Sequence, residues 1–120
     1  MEKNIAILVP QLSGGGAERV ASNLSLNLSN EKYNKYVIVF NYKKKNFPHK
    51  GKLIDLKTSP INNPLGKIYN IIKRVYKLKK LKKMYNIETT ISFLGGANIV
   101  NILSKENDKV IVSIRNYLSS

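Results

Sequence analysis

Gly14, Gly15 and Gly16 follow the apolar run 5–9 and Pro10, and Ala17-Glu18-Arg19-Val20 comes straight after them. Strand, glycine turn and helix in that order bring unpartnered helix-start N–H groups into a bend without Cβ atoms, a place suited to a phosphate or a carboxylate. The three glycines let the backbone take positive φ and come close to a ligand. A second glycine pair, Gly95-Gly96, follows another apolar run and either lets a substrate approach the backbone or serves a tight strand-to-helix turn. A third feature is electrostatic. The segment 67–83 holds eight basic residues and no acid, at helical spacing. This reads as a sheet-covering helix with a solvated outer face, on which Lys73, Arg74, Lys77 and Lys80 can meet anionic lipid.

The elements that must position these groups follow from hydrophobic period. Nearly continuous apolar runs at 5–9, 36–42, 53–56, 89–94 and 110–114 read as buried parallel strands. Helical patterns lie between them at 17–28, 65–85 and 97–105, with Pro64 near the start of the long one. For that helix the expected core stripe is Ile68, Ile71, Ile72, Val75, Leu78, Leu81 and Tyr85, with Tyr69 and Tyr76 on or near it. Strands alternating with helices predict an α/β fold with a mostly parallel, doubly wound sheet.

Composition narrows the class. The 120 residues suit one domain, and 21 basic against seven acidic residues give a net charge of +14, a field that attracts polyanions. Cysteine is absent, which excludes disulfides and thiolate metal sites. No apolar run is long enough for a signal peptide core or a membrane span, so the expected place is the cytoplasm, peripheral at the inner face of the membrane. The one histidine, His49, sits in a Lys- and Asn-rich loop and reads as solvated.

Several motifs fail on inspection. The third glycine of a dinucleotide fingerprint is replaced by Arg19, and the second strand ends Phe40-Asn41-Tyr42-Lys43 without an acid for a ribose; this argues against NAD and leaves an NADP-dependent oxidoreductase fragment as a minor alternative. Gly66-Lys67 is followed by Ile68, which excludes a Walker-type loop.

The combination Pro10-x-Leu12-x-x-Gly15-Gly16-Ala17-Glu18-Arg19-Val20 closely resembles the N-terminal half of glycosyltransferase family 4. Ile91-Ser92-Phe93-Leu94, Asn98, Asn101 and the segment Val112-Ser113-Ile114-Arg115-Asn116 reinforce the resemblance, which covers essentially the whole chain. It implies the two-domain GT-B fold, whose Rossmann-like N-terminal domain takes the acceptor while a C-terminal domain holds the nucleotide-sugar. It further implies that Gly14, Gly15, Gly16, Glu18 and Arg19 meet the donor phosphate or the transferred sugar, and that Gly95, Gly96, Arg115 and Asn116 line the acceptor side of the cleft. Glu18 also suits the first helical turn for its macrodipole. Histidine is common in the family where Arg115 stands, so no histidine-based catalytic role carries over.

The family implies no cofactor beyond the nucleotide-sugar substrate, no metal, and a glycan or lipid-linked acceptor, as in surface polysaccharide biosynthesis. The paired glutamates of the family's donor domain have no counterpart, since Glu88 and Glu106 are far apart. The chain stops a few residues after the fifth strand, so residues 1–120 are expected to be a truncated N-terminal domain, inactive alone, with a separately encoded C-terminal half as a conceivable partner. The rival class is a non-catalytic basic module for membrane or nucleic acid. Nucleic acid is disfavoured by placing the tyrosines on the buried stripe rather than among exposed lysines.

Overall fold

A computed structural model of the chain describes residues 3–12, 15–42 and 48–113. Strands β1 (Lys3–Val9), β2 (Tyr33–Val39), β3 (Lys52–Asp55), β4 (Thr89–Phe93) and β5 (Lys109–Ser113) form one sheet in the order β3-β2-β1-β4-β5, every pairing parallel. Helix α1 (Gly16–Asn27) follows β1, α2 (Pro64–Met84) follows β3 and α3 (Gly95–Leu103) follows β4. This is the expected α/β, Rossmann-like architecture.

The central strand β1 is apolar at successive positions because both its faces are covered. Ile7 and Val9 pack with Val37, Val39, Ala17 and Ala21 under α1, while Ala6 and Leu8 pack with Ile38, Phe40, Leu78, Ala97 and Val100 under α2 and α3. Helices therefore lie on both faces. Lys35, buried on β2, donates from Nζ to the carbonyls of Ser25 (2.6 Å) and Leu28 (2.8 Å), a cation at the negative end of α1, which has no basic residue in its own last turn.

Two sequence expectations need correction. The second strand ends at Val39 rather than Tyr42, because the N–H groups of Phe40 and Asn41 both turn to the carbonyl of Pro10 (3.0 and 3.2 Å). Helix α2 is rotated relative to the expected stripe. Ile71, Val75, Leu78, Leu81 and Tyr85 face inward or sit half-buried, whereas Ile68, Ile72, Tyr69 and Tyr76 are exposed. What occupies the inward line besides leucine is polar: Asn70, Arg74, Leu78 and Lys82 recur every four residues.

Candidate functional site

The strand order changes direction between β1 and β4, since the chain moves outward to β2 and β3 and then returns to β4. In open α/β sheets the crevice outside the carboxyl ends at such a switch point is where ligands sit. Both glycine pairs lie here. Gly15 and Gly16 open α1 beyond β1, Gly95 and Gly96 open α3 beyond β4, and all four are exposed. The two helix starts are joined through a shared apolar base in which Leu12, Ala17, Phe93 and Leu94 pack in one cluster.

The described glycines of this crevice do not use the left-handed freedom open to them. Gly15 is extended (φ −94°, ψ −179°) and Gly16 is helical, so neither uses positive φ. The left-handed residue is Leu94, at φ 80° and ψ 148°, which caps α3 without a side-chain hydrogen bond. Positive φ in a branched residue is costly and persists only where packing enforces it; Leu94 is held by its contacts with the α1 cluster. Among the described glycines only Gly51 has a positive φ. A methyl group at Gly95 would meet nothing within 4 Å, and one at Gly96 would only touch Phe40 at 3.9 Å. Tight packing therefore does not demand these two glycines, and the space before them is open.

At the first turn, the Glu18 side chain is buried and folds back over Gly15, where an added Cβ would lie 2.7 Å from Oε1. A carboxylate at a helix N-terminus is favourable, and here the chain's own carboxylate lies beside the amides expected to hold an external anion. Arg19 is exposed on the same turn and engages a partner within the chain. Gly14, Arg115 and Asn116 lie outside the described residues.

Next to the switch point is a cleft of about 390 Å³ whose walls are Pro10, Phe40, Pro60, Ile61 and Ile71, with Asn70, Lys67, Arg74 and Gly96 at its edges. Arg74 was expected on the outer face of α2, but it turns into this wall. Its guanidinium stacks 4.2 Å above the Phe40 ring and donates from Nε to the Thr58 hydroxyl and from Nη2 to the Thr58 carbonyl, both at 2.8 Å. Burial lowers its pKa from the usual arginine value. Lys77 is likewise drawn inward, to the Leu56 carbonyl at 2.7 Å. Lys73 and Lys80 stay on the outer side, beside the rings of Tyr69 (6.0 Å) and Tyr76 (5.5 Å).

Sequence reasoning missed this wall, although spacing held a clue: Arg74 lies four residues after Asn70 and four before Leu78. Ser92, Asn98 and Asn101 turn out to be structural ties. Ser92 donates to Asn98 Oδ1 (2.7 Å), Asn98 Nδ2 reaches the Ser113 carbonyl (3.1 Å), and Asn101 Nδ2 reaches Thr90, Ser92 and Ile111. They lash α3 to β4 and β5. Comparison with known protein families and with curated proteins finds no match to this chain.

Proposed function

We propose that this chain is the acceptor-side half of a family 4 glycosyltransferase, forming one wall of a cleft in which a sugar passes from a nucleotide-sugar to a hydroxyl of a glycan or lipid-linked acceptor. The observation that carries the reading is the convergence of two exposed, glycine-opened helix starts, Gly15-Gly16 and Gly95-Gly96, at the switch point beside the Phe40–Arg74 cleft. The resemblance through Pro10, Leu12 and Gly15 to Val20 supports it from the sequence side.

In this reading the α1 amides face the leaving diphosphate and interact with charge that grows as the glycosidic bond to phosphate breaks. Glu18 accepts hydrogen bonds from sugar hydroxyls when it swings off Gly15, and the apolar cleft holds the acceptor while Arg74 keeps its wall rigid.

Amide spectra of the isotope-labelled chain, titrated with UDP- and GDP-hexoses and with NADPH, test this. Shifts centred on Gly15, Gly16, Gly95 and Gly96 with a nucleotide-sugar, and none there with NADPH, are expected. A response to NADPH alone, or none in the crevice with any nucleotide-sugar, overturns the reading.

A further inference from the structure

Helix α2 carries a second apolar face that the core does not use. Leu65, Ile68, Tyr69, Ile72 and Tyr76 fall at intervals of three and four residues on its outer side, with Leu65 80%, Ile72 63% and Tyr76 64% exposed. The same line continues into Lys79, Lys80 and Lys83. The stripe is therefore apolar and aromatic over its first three turns and basic over its last two, along a helix roughly 30 Å long. A contiguous apolar patch of this kind on a surface marks an interaction site.

We propose that this outer face of α2 docks onto an anionic lipid bilayer, with its amino-terminal half immersed among the acyl chains at the interface and its carboxy-terminal lysines on the headgroups. Charge complementarity selects the occupant: the helix has no acid from 67 to 83, and Glu106 is the carboxylate that reaches Lys79 (3.7 Å) and Lys83 (3.9 Å), too little to neutralise them. Lys73 and Lys80 lie along Tyr69 and Tyr76, the amphipathic arrangement of ring and ammonium that suits the depth between tails and headgroups.

Exposed tyrosines among lysines also meet the pattern of a nucleic-acid surface, which the sequence had disfavoured. The aliphatic residues decide between the two, because Leu65, Ile68 and Ile72 find partners in lipid tails and none on a phosphodiester backbone. A second copy of the chain is disfavoured by a net charge of +14 on each. Because Lys67, Asn70, Ile71 and Arg74 of the same helix half line the cleft, docking holds the cleft against the membrane.

Sedimentation of the full chain with vesicles of phosphatidylcholine and phosphatidylglycerol, against phosphatidylcholine alone, is the test. At physiological salt the chain is expected to pellet with the anionic vesicles and weakly with the neutral ones. Ile68→Ser/Ile72→Ser should lose at least about tenfold in apparent affinity with an unchanged melting curve, since both side chains are solvated in the free protein. Lys79→Ser/Lys80→Ser/Lys83→Ser should lose roughly tenfold and flatten the salt dependence. Failure to pellet with anionic vesicles overturns the proposal, as does equal pelleting of the Ile68→Ser/Ile72→Ser variant. A DNA duplex bound through Tyr69 and Tyr76 in the absence of vesicle binding would assign the face to nucleic acid instead. None of these outcomes depends on sugar transfer.

Discussion

At the amino ends of the strands a buried ion pair and its hydrogen bonds tie β4, β5 and α2 together, with Glu106 Oε1 left without a hydrogen bond, whereas at the carboxyl ends the chain leaves glycines bare and one leucine strained. The closed end centres on Lys82 and Asp108, whose side chains are both 0% exposed and 2.9 Å apart. Thr90 donates its hydroxyl to Asp108 at 2.8 Å, the Glu106 N–H reaches the other carboxylate oxygen at 2.9 Å, and Lys82 Nζ also donates to Asn101 Oδ1 at 3.1 Å. Asn4 bonds the Tyr85 and Asn86 carbonyls a short distance away. The open end has exposed Gly15, Gly16, Gly95 and Gly96, left-handed Leu94 and the cleft under Arg74. The first end is the more densely bonded of the two, and the second is the one on which the proposed function relies, the division expected where a rigid scaffold presents loops to a ligand.

Removing half of the ion pair should break the contrast most. Asp108→Ala strands a buried ammonium and is expected to destabilise the fold by about 3–5 kcal/mol in denaturant titration, with little effect on which ligands the crevice selects. Acid should reproduce part of that loss. Burial alone would raise the Asp108 carboxyl, but the bonds from Lys82, the Glu106 amide and Thr90 outweigh it and leave its pKa below the usual 3.8. Its contribution is therefore complete above the unfolded carboxylate value and is lost as pH falls through the lower folded one. Stability measured from pH 5 downward should fall more steeply in the wild type than in Asp108→Asn, with about 4 marking the start of the difference. Lys82 feels burial first, which lowers its pKa, with Asp108 acting in the opposite sense.

The smallest effect sharpens the open end. At most half-buried sites alanine is tolerated better than glycine, but at Leu94 the order should reverse. Leu94→Gly is expected to be about 1 kcal/mol more stable than Leu94→Ala, because both lose the side chain's packing while only glycine is at ease at φ 80°. Thermal melts of the two variants check this, and the usual order would remove strain from the account of the crevice.

The sheet was legible because residues 5–9 of β1 and 36–39 of β2 are apolar and buried at successive positions and leave no alternating pattern to misread, while the polar start of β2 at Tyr33, Asn34 and Lys35 was missed. Both glycine turns were legible as turns, though not their conformation: the described Gly15 and Gly16 do not use positive φ, while Leu94 does, where contacts from α1 hold it. Helix α2 misled because it has two apolar stripes. Spacing alone merged Ile68 and Ile72 with Ile71 and Val75, and hid the inward line through Asn70, Arg74 and Lys82. A buried lysine looks like any surface lysine until Asp108, 26 positions on, is seen to meet it.

Local chemistry in the chain, its runs of β-branched residues, glycine bends and excess of lysine, was enough to determine an α/β domain with an anion-seeking surface, since period and charge act without regard to distant partners. Which face of α2 turns inward, where Glu18 lies and which leucine carries strain were decided by the assembled sheet. Each depends on contacts between segments far apart in sequence, and those exist only after the strands have paired.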